Sequence, residues 1–232
     1  MAWLRRRARG SRTAQVTESP YEDAVRLAYD TVAADYAELL GDELDGQPLD
    51  RAVLAAFVEF VQADGGGPVA DLGCGPGRVT SHLHALGLHA FGIDLSQAMV
   101  FEARRVHPGL RFDQGSMASL DMLDNELAGI LAWYSIIHTP PTHQPLLFTE
   151  FARVLRPGGR ILIAFQIGDA RVHLDHAYGH ELSLDAYRLS PDLVAEQLNV
   201  AGLAVTARLT REPTGRERQQ QAFLVGHKPM AK

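Results

Sequence analysis

Nine residues, Val69-Ala70-Asp71-Leu72-Gly73-Cys74-Gly75-Pro76-Gly77, constrain this chain more than any others. A short apolar run that ends in an acid and breaks into glycines at alternate positions reads as a β-strand turning sharply into a helix. Glycine is needed there because the backbone must bend and approach a ligand with no Cβ in the way. A dinucleotide-binding turn spaces its glycines G-x-G-x-x-G and sets a pyrophosphate on the helix N-terminus. Here the spacing is G-x-G-x-G, and Asp71 stands two positions before the first glycine.

The surrounding pattern agrees with a strand-to-helix turn. Short apolar runs at 69–72, 89–93, 110–112, 127–134 and 160–165 predict strands. Between them, amphipathic stretches at 78–86, 96–106 and 144–155 predict helices, with Ser96 placed to cap the second. Strands alternating with helices imply a doubly wound α/β sheet with right-handed crossovers. A helix at 191–201 and closing strands at 203–209 and 222–227 follow. Upstream, Ser19-Pro20 signals a helix start, and Val25, Ala28, Tyr29, Val32, Ala33 and Tyr36 recur at helical spacing. A second helix is expected over 49–62.

Composition narrows the class. The 232 residues carry 46% apolar and 22% charged side chains, enough for one α/β domain with an appendage. A net charge of -6 does not attract phosphate backbones, so no nucleic-acid partner is expected. The single cysteine, Cys74, rules out an internal disulfide and suits a reducing cytoplasm. No apolar run approaches the ~20 residues that span a bilayer, and the arginine-rich start lacks the apolar middle of a secretion signal. A cytoplasmic protein without a membrane partner is expected, and its oligomeric state is left open.

Two further markers follow the glycine loop. Asp94 ends the second predicted strand, where a carboxylate can accept both hydroxyls of a ribose. Leu155-Arg156-Pro157-Gly158-Gly159 joins a helix to the fifth strand through a turn that needs glycine conformations. In this order and spacing the three markers resemble class I S-adenosylmethionine-dependent methyltransferases of the small-molecule branch. The resemblance runs from about Tyr29 to the C-terminus. It implies a Rossmann-like, seven-stranded, mostly parallel sheet with an antiparallel last strand, behind an N-terminal helical cap. Residues 1–18 then form a disordered basic tail and 19–66 the cap. Residues 67–232 form the donor-binding domain, with a lid insert at about 167–190.

The resemblance also implies site residues. Gly73, Cys74, Gly75 and Gly77 would wrap S-adenosylmethionine, with Asp71 ordering the loop or reaching the methionine amino group. Asp94 would hold the ribose, or else cap the helix after it, with Leu95 and Met99 flanking the adenine unless Met99 belongs to the helix core. Many relatives carry an acid after strand three for the adenine amino group; this chain has Gly115-Ser116-Met117, with Ser116 in the acid's place. Trp133, Tyr134 and Ser135 would lie beside the sulfonium. Cap tyrosines Tyr29 and Tyr36 would reach the methionine carboxylate or the substrate, or else pack the cap onto the sheet.

Methyl transfer needs an aligned nucleophile and a group to take its proton. Tyr29 and His138 are the catalytic candidates, although His138 could equally bond loop backbone. The segment His138-Thr139-Pro140-Pro141 lacks the amide and trailing aromatic of nucleic-acid amino methyltransferases. A small-molecule acceptor, acidic or hydroxylated, is expected at its oxygen or nitrogen. Tyr36, His138, Arg171, His176 and Tyr178 are the substrate-binding candidates. The histidine-rich insert matches no metal-ligand spacing, so no metal is expected, and a plain solvated hairpin is the other reading of it. Two other functions compete: a non-catalytic binder of the same cofactor, and a nicotinamide oxidoreductase, which the glycine spacing disfavours.

Overall fold

The computed structural model describes residues 19–215 and 217–230, so the basic tail expected at 1–18 lies outside the described residues. Seven strands form one sheet in the order β3-β2-β1-β4-β5-β9-β8. They are β1 (Pro68–Leu72), β2 (His89–Asp94), β3 (Phe112–Gln114), β4 (Leu127–Trp133), β5 (Leu155–Gln166), β8 (Ala204–Arg211) and β9 (Gln221–His227). β1 to β5 pair in parallel, and β9 runs antiparallel to both β5 and β8. Helices α1 (Pro20–Leu40), α2 (Pro48–Ala63), α3 (Arg78–Ala85), α4 (Gln97–Val106), α5 (Gln144–Val154) and α6 (Pro191–Val200) complete it, most of them within a residue or two of the sequence patterns. The mostly parallel sheet with its antiparallel last strand is the architecture that the resemblance implied.

Both faces of the sheet are covered. Strand alternation sends Val69, Leu131 and Leu162 to one side, against Phe57 and Val61 of α2 and Leu83 of α3. It sends Ala70, Leu72 and Ile163 to the other, against Phe148 and Phe151 of α5 and Leu198 of α6. Of the two upstream helices, α2 is therefore part of the sandwich, while α1 lies across the carboxyl ends of the strands. α1 is fixed there by Asp30, whose carboxylate accepts from Ser96 Oγ at 2.6 Å and from the Ala98 amide at 3.1 Å. That places a negative charge on the N-terminus of α4, where helix dipole and free amides favour it. No helix among the described residues is long and apolar enough to cross a membrane.

One segment differs from the sequence-based expectation, and the insert adopts the hairpin that was one of its two readings. Pro157-Gly158-Gly159 is a bulge inside β5, where the register to β4 shifts and Gly158 takes φ +78°. The insert forms a two-stranded hairpin, β6 (Arg171–Ala177) and β7 (His180–Tyr187). Its turn, Tyr178-Gly179, has φ of +53° and +84°, the positive pair that suits a tight hairpin. Val172 and Leu174 alternate with the exposed Arg171 and His173, a period of two that the run of histidines obscures.

Where β1 turns into α3, Gly77 has φ +83°, and a Cβ there would lie 2.6 Å from the Phe112 ring. Gly77→Ala is expected to lower the unfolding free energy by about 1–3 kcal/mol from backbone strain, with the clash in addition. Urea denaturation checks this, and a midpoint equal to that of the wild type would contradict it.

Candidate active site

β1 and β4 are the strands at which the chain order reverses, and ligands of doubly wound sheets bind beyond such a point. A cavity of about 720 Å³ opens there between the sheet edge and α1. Gly73 and Gly75 form part of its floor, with Asp94, Leu95 and Met99 along one wall. Gly115, Ser116 and Met117 close one end, and Trp133, Tyr134, Ser135 and His138 line the β4 side. Tyr29 and Tyr36 reach in from α1. Three predicted loop residues, Asp71, Cys74 and Gly77, do not line it.

Their positions have physical causes. Asp71 shares the face of Val69, which points it at α3; its Oδ2 accepts from Thr80 Oγ1 at 2.7 Å. Its Oδ1 is buried without a partner, and burial pushes the carboxyl up to about 7. Cys74 turns into an apolar nest of Val100, Ala103 and Phe112, where burial raises its thiol. Gly73 does the opposite and closes the loop onto β4: at φ +72° its Cβ would fall 2.4 Å from Ser135 Cβ. Ser135 Oγ, beside it, is buried with no hydrogen-bond partner.

Asp94 is the charged centre of the floor. Its carboxylate accepts the Gly75 amide at 2.7 Å and the Ser96 amide at 2.9 Å. Burial pushes it up to about 6 despite these bonds. With one amide on each oxygen, the carboxylate has lone pairs left with which to accept two hydroxyls.

Glu22, in the first turn of α1, was not legible as a site residue. It is buried, lines the cavity, and accepts from Ser19 and from the Ser116 hydroxyl. A carboxylate thus reaches the corner where strand three supplies none, from the opposite end of the fold. Its only sequence signal was an acid in a helix first turn, which dipole complementarity explains as well.

On the far side, His138 Nδ1 lies 2.9 Å from the Asp185 carbonyl oxygen. A carbonyl only accepts, so Nδ1 carries the proton and Nε2 accepts the Tyr29 hydroxyl proton at 2.7 Å. Burial lowers the His138 pKa and raises that of Tyr29 well above its usual value, so both are neutral near pH 7. Tyr29 meets Tyr36 edge-on at 5.9 Å, and Tyr36 meets Tyr178 at 5.0 Å. Arg171 and His176 do not join this group: they sit on the solvent face of the hairpin, Arg171 paired to Asp185 at 2.6 Å. Among the described residues no group of three or more His, Cys, Asp or Glu side chains could hold a metal ion.

Comparison with known proteins agrees with this geometry. A family model described as a methyltransferase domain matches residues 69–159. Over 157 residues the chain is 27% identical to malonyl-[acyl-carrier protein] O-methyltransferase of Erwinia billingiae, covering 68% of this chain and 59% of that protein. It is 30% identical over 151 residues to demethylmenaquinone methyltransferase of Beutenbergia cavernae, covering 65% of this chain and 60% of that one. The chain thus spans about three-fifths of the length of these relatives. In fold it is similar to magnesium protoporphyrin IX methyltransferase of Synechocystis with bound SAM, at TM-score 0.67 and 17% identity over 91% of this chain and 99% of that one. Residues 69–159 thus match a methyltransferase domain, and the chain is similar in sequence and in fold to S-adenosylmethionine-dependent methyltransferases. The cavity fits their donor: Asp94 has lone pairs for a ribose diol, Ser135 Oγ borders the glycine loop, and among the described residues it has no partner and no arginine or lysine lines the site to meet a pyrophosphate.

Hydroxyl donors on Asp94 favour its charged form, so binding lowers a pKa that starts at about 6. Affinity for S-adenosylhomocysteine is therefore expected to fall as pH drops below about 6, and Asp94→Asn to remove that dependence. Calorimetry between pH 5 and 8 checks it; a flat wild-type profile would refute the ribose contact.

Proposed function

We propose that the protein transfers a methyl group from S-adenosylmethionine to an oxygen or nitrogen of a small molecule, acidic or hydroxylated. The observation that carries this reading is the buried Tyr29–His138 pair beside the donor cavity. When bound, S-adenosylmethionine supplies a carbon already made electrophilic by its sulfonium. The chain then has to hold both reactants and take up one proton.

Asp94 would hold the ribose hydroxyls, while Leu95 and Met99 flank the adenine. Glu22, with Ser116, would face the adenine amino group in place of the missing acid. Tyr36 and Ser135 would border the methionine end, along with Trp133 and Tyr134. Tyr29 Oη donates its proton to His138 Nε2, so its own lone pairs face the cavity and can accept the acceptor's proton. As that proton arrives, the original tyrosine proton passes to Nε2. The phenol ends neutral and the imidazole ends charged, with Asp185 O holding Nδ1–H throughout. Because burial keeps His138 unprotonated near pH 7, Nε2 is free for this step.

The net charge of -6 supports a small molecule over a nucleic acid as acceptor. The lone buried cysteine supports a cytoplasmic setting. Incubation with methyl-labelled S-adenosylmethionine and a panel of hydroxy acids, phenols and amines tests the reading. Labelled product is expected from at least one class. Tight S-adenosylhomocysteine binding with transfer to none would favour a binder without catalysis, and stabilisation by NADH alone would favour a nicotinamide enzyme. With the acceptor in hand, Tyr29→Phe is expected to cut kcat by about 100-fold or more while leaving S-adenosylhomocysteine affinity unchanged. Unaltered turnover would remove Tyr29 from the proton path.

A further inference from the structure

Behind the Tyr29–His138 pair lies a second cavity, roughly 820 Å³, between α1 and the inner face of the β6–β7 hairpin. Tyr29 and His138 line both cavities and so stand where the two meet. The second is mostly apolar, walled by Val32 of α1, Val172 and Leu174 of β6, and Leu182 and Leu184 of β7. Among the described residues no carboxylate lines it, and Arg188 is its one charged group.

Arg188 is set apart from the other arginines near the site. Arg78 is paired with Glu43, Arg171 with Asp185, and Arg211 with Asp50 and Glu217. The half-buried Arg188 has no carboxylate partner among the described residues, and its Nε is buried without any hydrogen-bond partner. Its stem is held against Gly168, where a Cβ would fall 2.8 Å from Arg188 Cβ. A guanidinium that lines an apolar cavity and has no counter-ion is suited to a carboxylate, which it can grip with two parallel hydrogen bonds. A third cavity, on the Tyr36 side, offers no such charge: Glu43, Asp50, Arg78 and Glu217 line it and already neutralise one another or Arg211.

We infer that the cavity under the hairpin holds the methyl acceptor, and that Arg188 binds a carboxylate on it. The occupant is a monoanionic molecule with an apolar body. The body lies against Val172, Leu174 and Leu184, and the reacting oxygen or nitrogen reaches past Tyr29 into the donor cavity. This rests on the methyl-transfer reading and adds to it the acceptor's charge, its seat and the residue that selects it.

The test uses calorimetry on the full chain saturated with S-adenosylhomocysteine. The probes are phenyl-substituted alkanoic acids of increasing chain length, each paired with its primary amide. At least one acid is expected to bind about 10- to 100-fold more tightly than its amide, the difference that a hydrogen bond to a charged group makes. Arg188→Gln should bring the acid down to the affinity of the amide, with S-adenosylhomocysteine affinity unchanged as proof of the fold. Arg188→Lys should restore part of the preference, and Arg171→Gln, on the outer face, should leave all of it. Acids that bind no better than their amides, or not at all, would overturn the inference. So would an acid preference that survives Arg188→Gln. Should S-adenosylhomocysteine itself fail to bind, the donor assignment falls, while an Arg188-dependent preference for acids in the free protein would still uphold the anion site.

Discussion

The carboxylate of Asp94 is the interaction on which the rest of the site depends. One oxygen holds the amide of Gly75 and the other that of Ser96, so a single side chain joins the loop after β1 to the start of α4. Ser96 then caps α4 by accepting from the Met99 amide, and its hydroxyl donates a hydrogen bond to Asp30 of α1. Floor, wall and roof of the donor cavity are thereby tied through four residues in contact. Holding this charge in a buried place has a consequence, a carboxyl pushed up to about 6. The hydroxyls of a bound ribose would relieve part of that by adding donors to an under-supplied anion.

A second constraint comes from α1. By crossing the carboxyl ends of the strands it brings Glu22, Tyr29 and Tyr36 to one cavity and packs Val32 and Ala33 on Met99. The hairpin adds the other half of the cover. Its Asp185 carbonyl fixes the tautomer of His138, and His180 bonds Asp35 of α1 at 2.7 Å. The proposed proton path, the roof of the cavity at Asp94 and the second cavity thus share two elements. A change that loosens either one acts on all three.

Much of this was legible from residue order. The strands and helices announced themselves by their periods, and Gly73, Gly75 and Asp94 by their spacing, because sheet registry and backbone conformation leave local traces. Tyr29 and His138 were picked out singly, yet their hydrogen bond joins positions 109 residues apart and no local pattern encodes it. Glu22 and Arg188 were missed for the same reason. An acid in a helix first turn and an arginine after a strand are ordinary in sequence, and only the fold shows what faces them. Conversely, Asp71, Cys74, Arg171 and His176 carried suggestive chemistry but sit on faces turned away from the cavity. The histidines of the insert attracted attention as a cluster, whereas the alternating Val172, Leu174, Leu182 and Leu184 were its structural message.

If the cavity between the glycine loop and α1 is a donor site organised by Asp94, a crystal structure of the protein with S-adenosylhomocysteine will show both ribose hydroxyls on the Asp94 carboxylate. The adenine will lie between Leu95 and Met99 with its amino group toward Glu22 and Ser116, and the sulfur will face Tyr29. A nucleoside bound elsewhere, or one in this cavity whose ribose makes no contact with Asp94, would contradict that assignment.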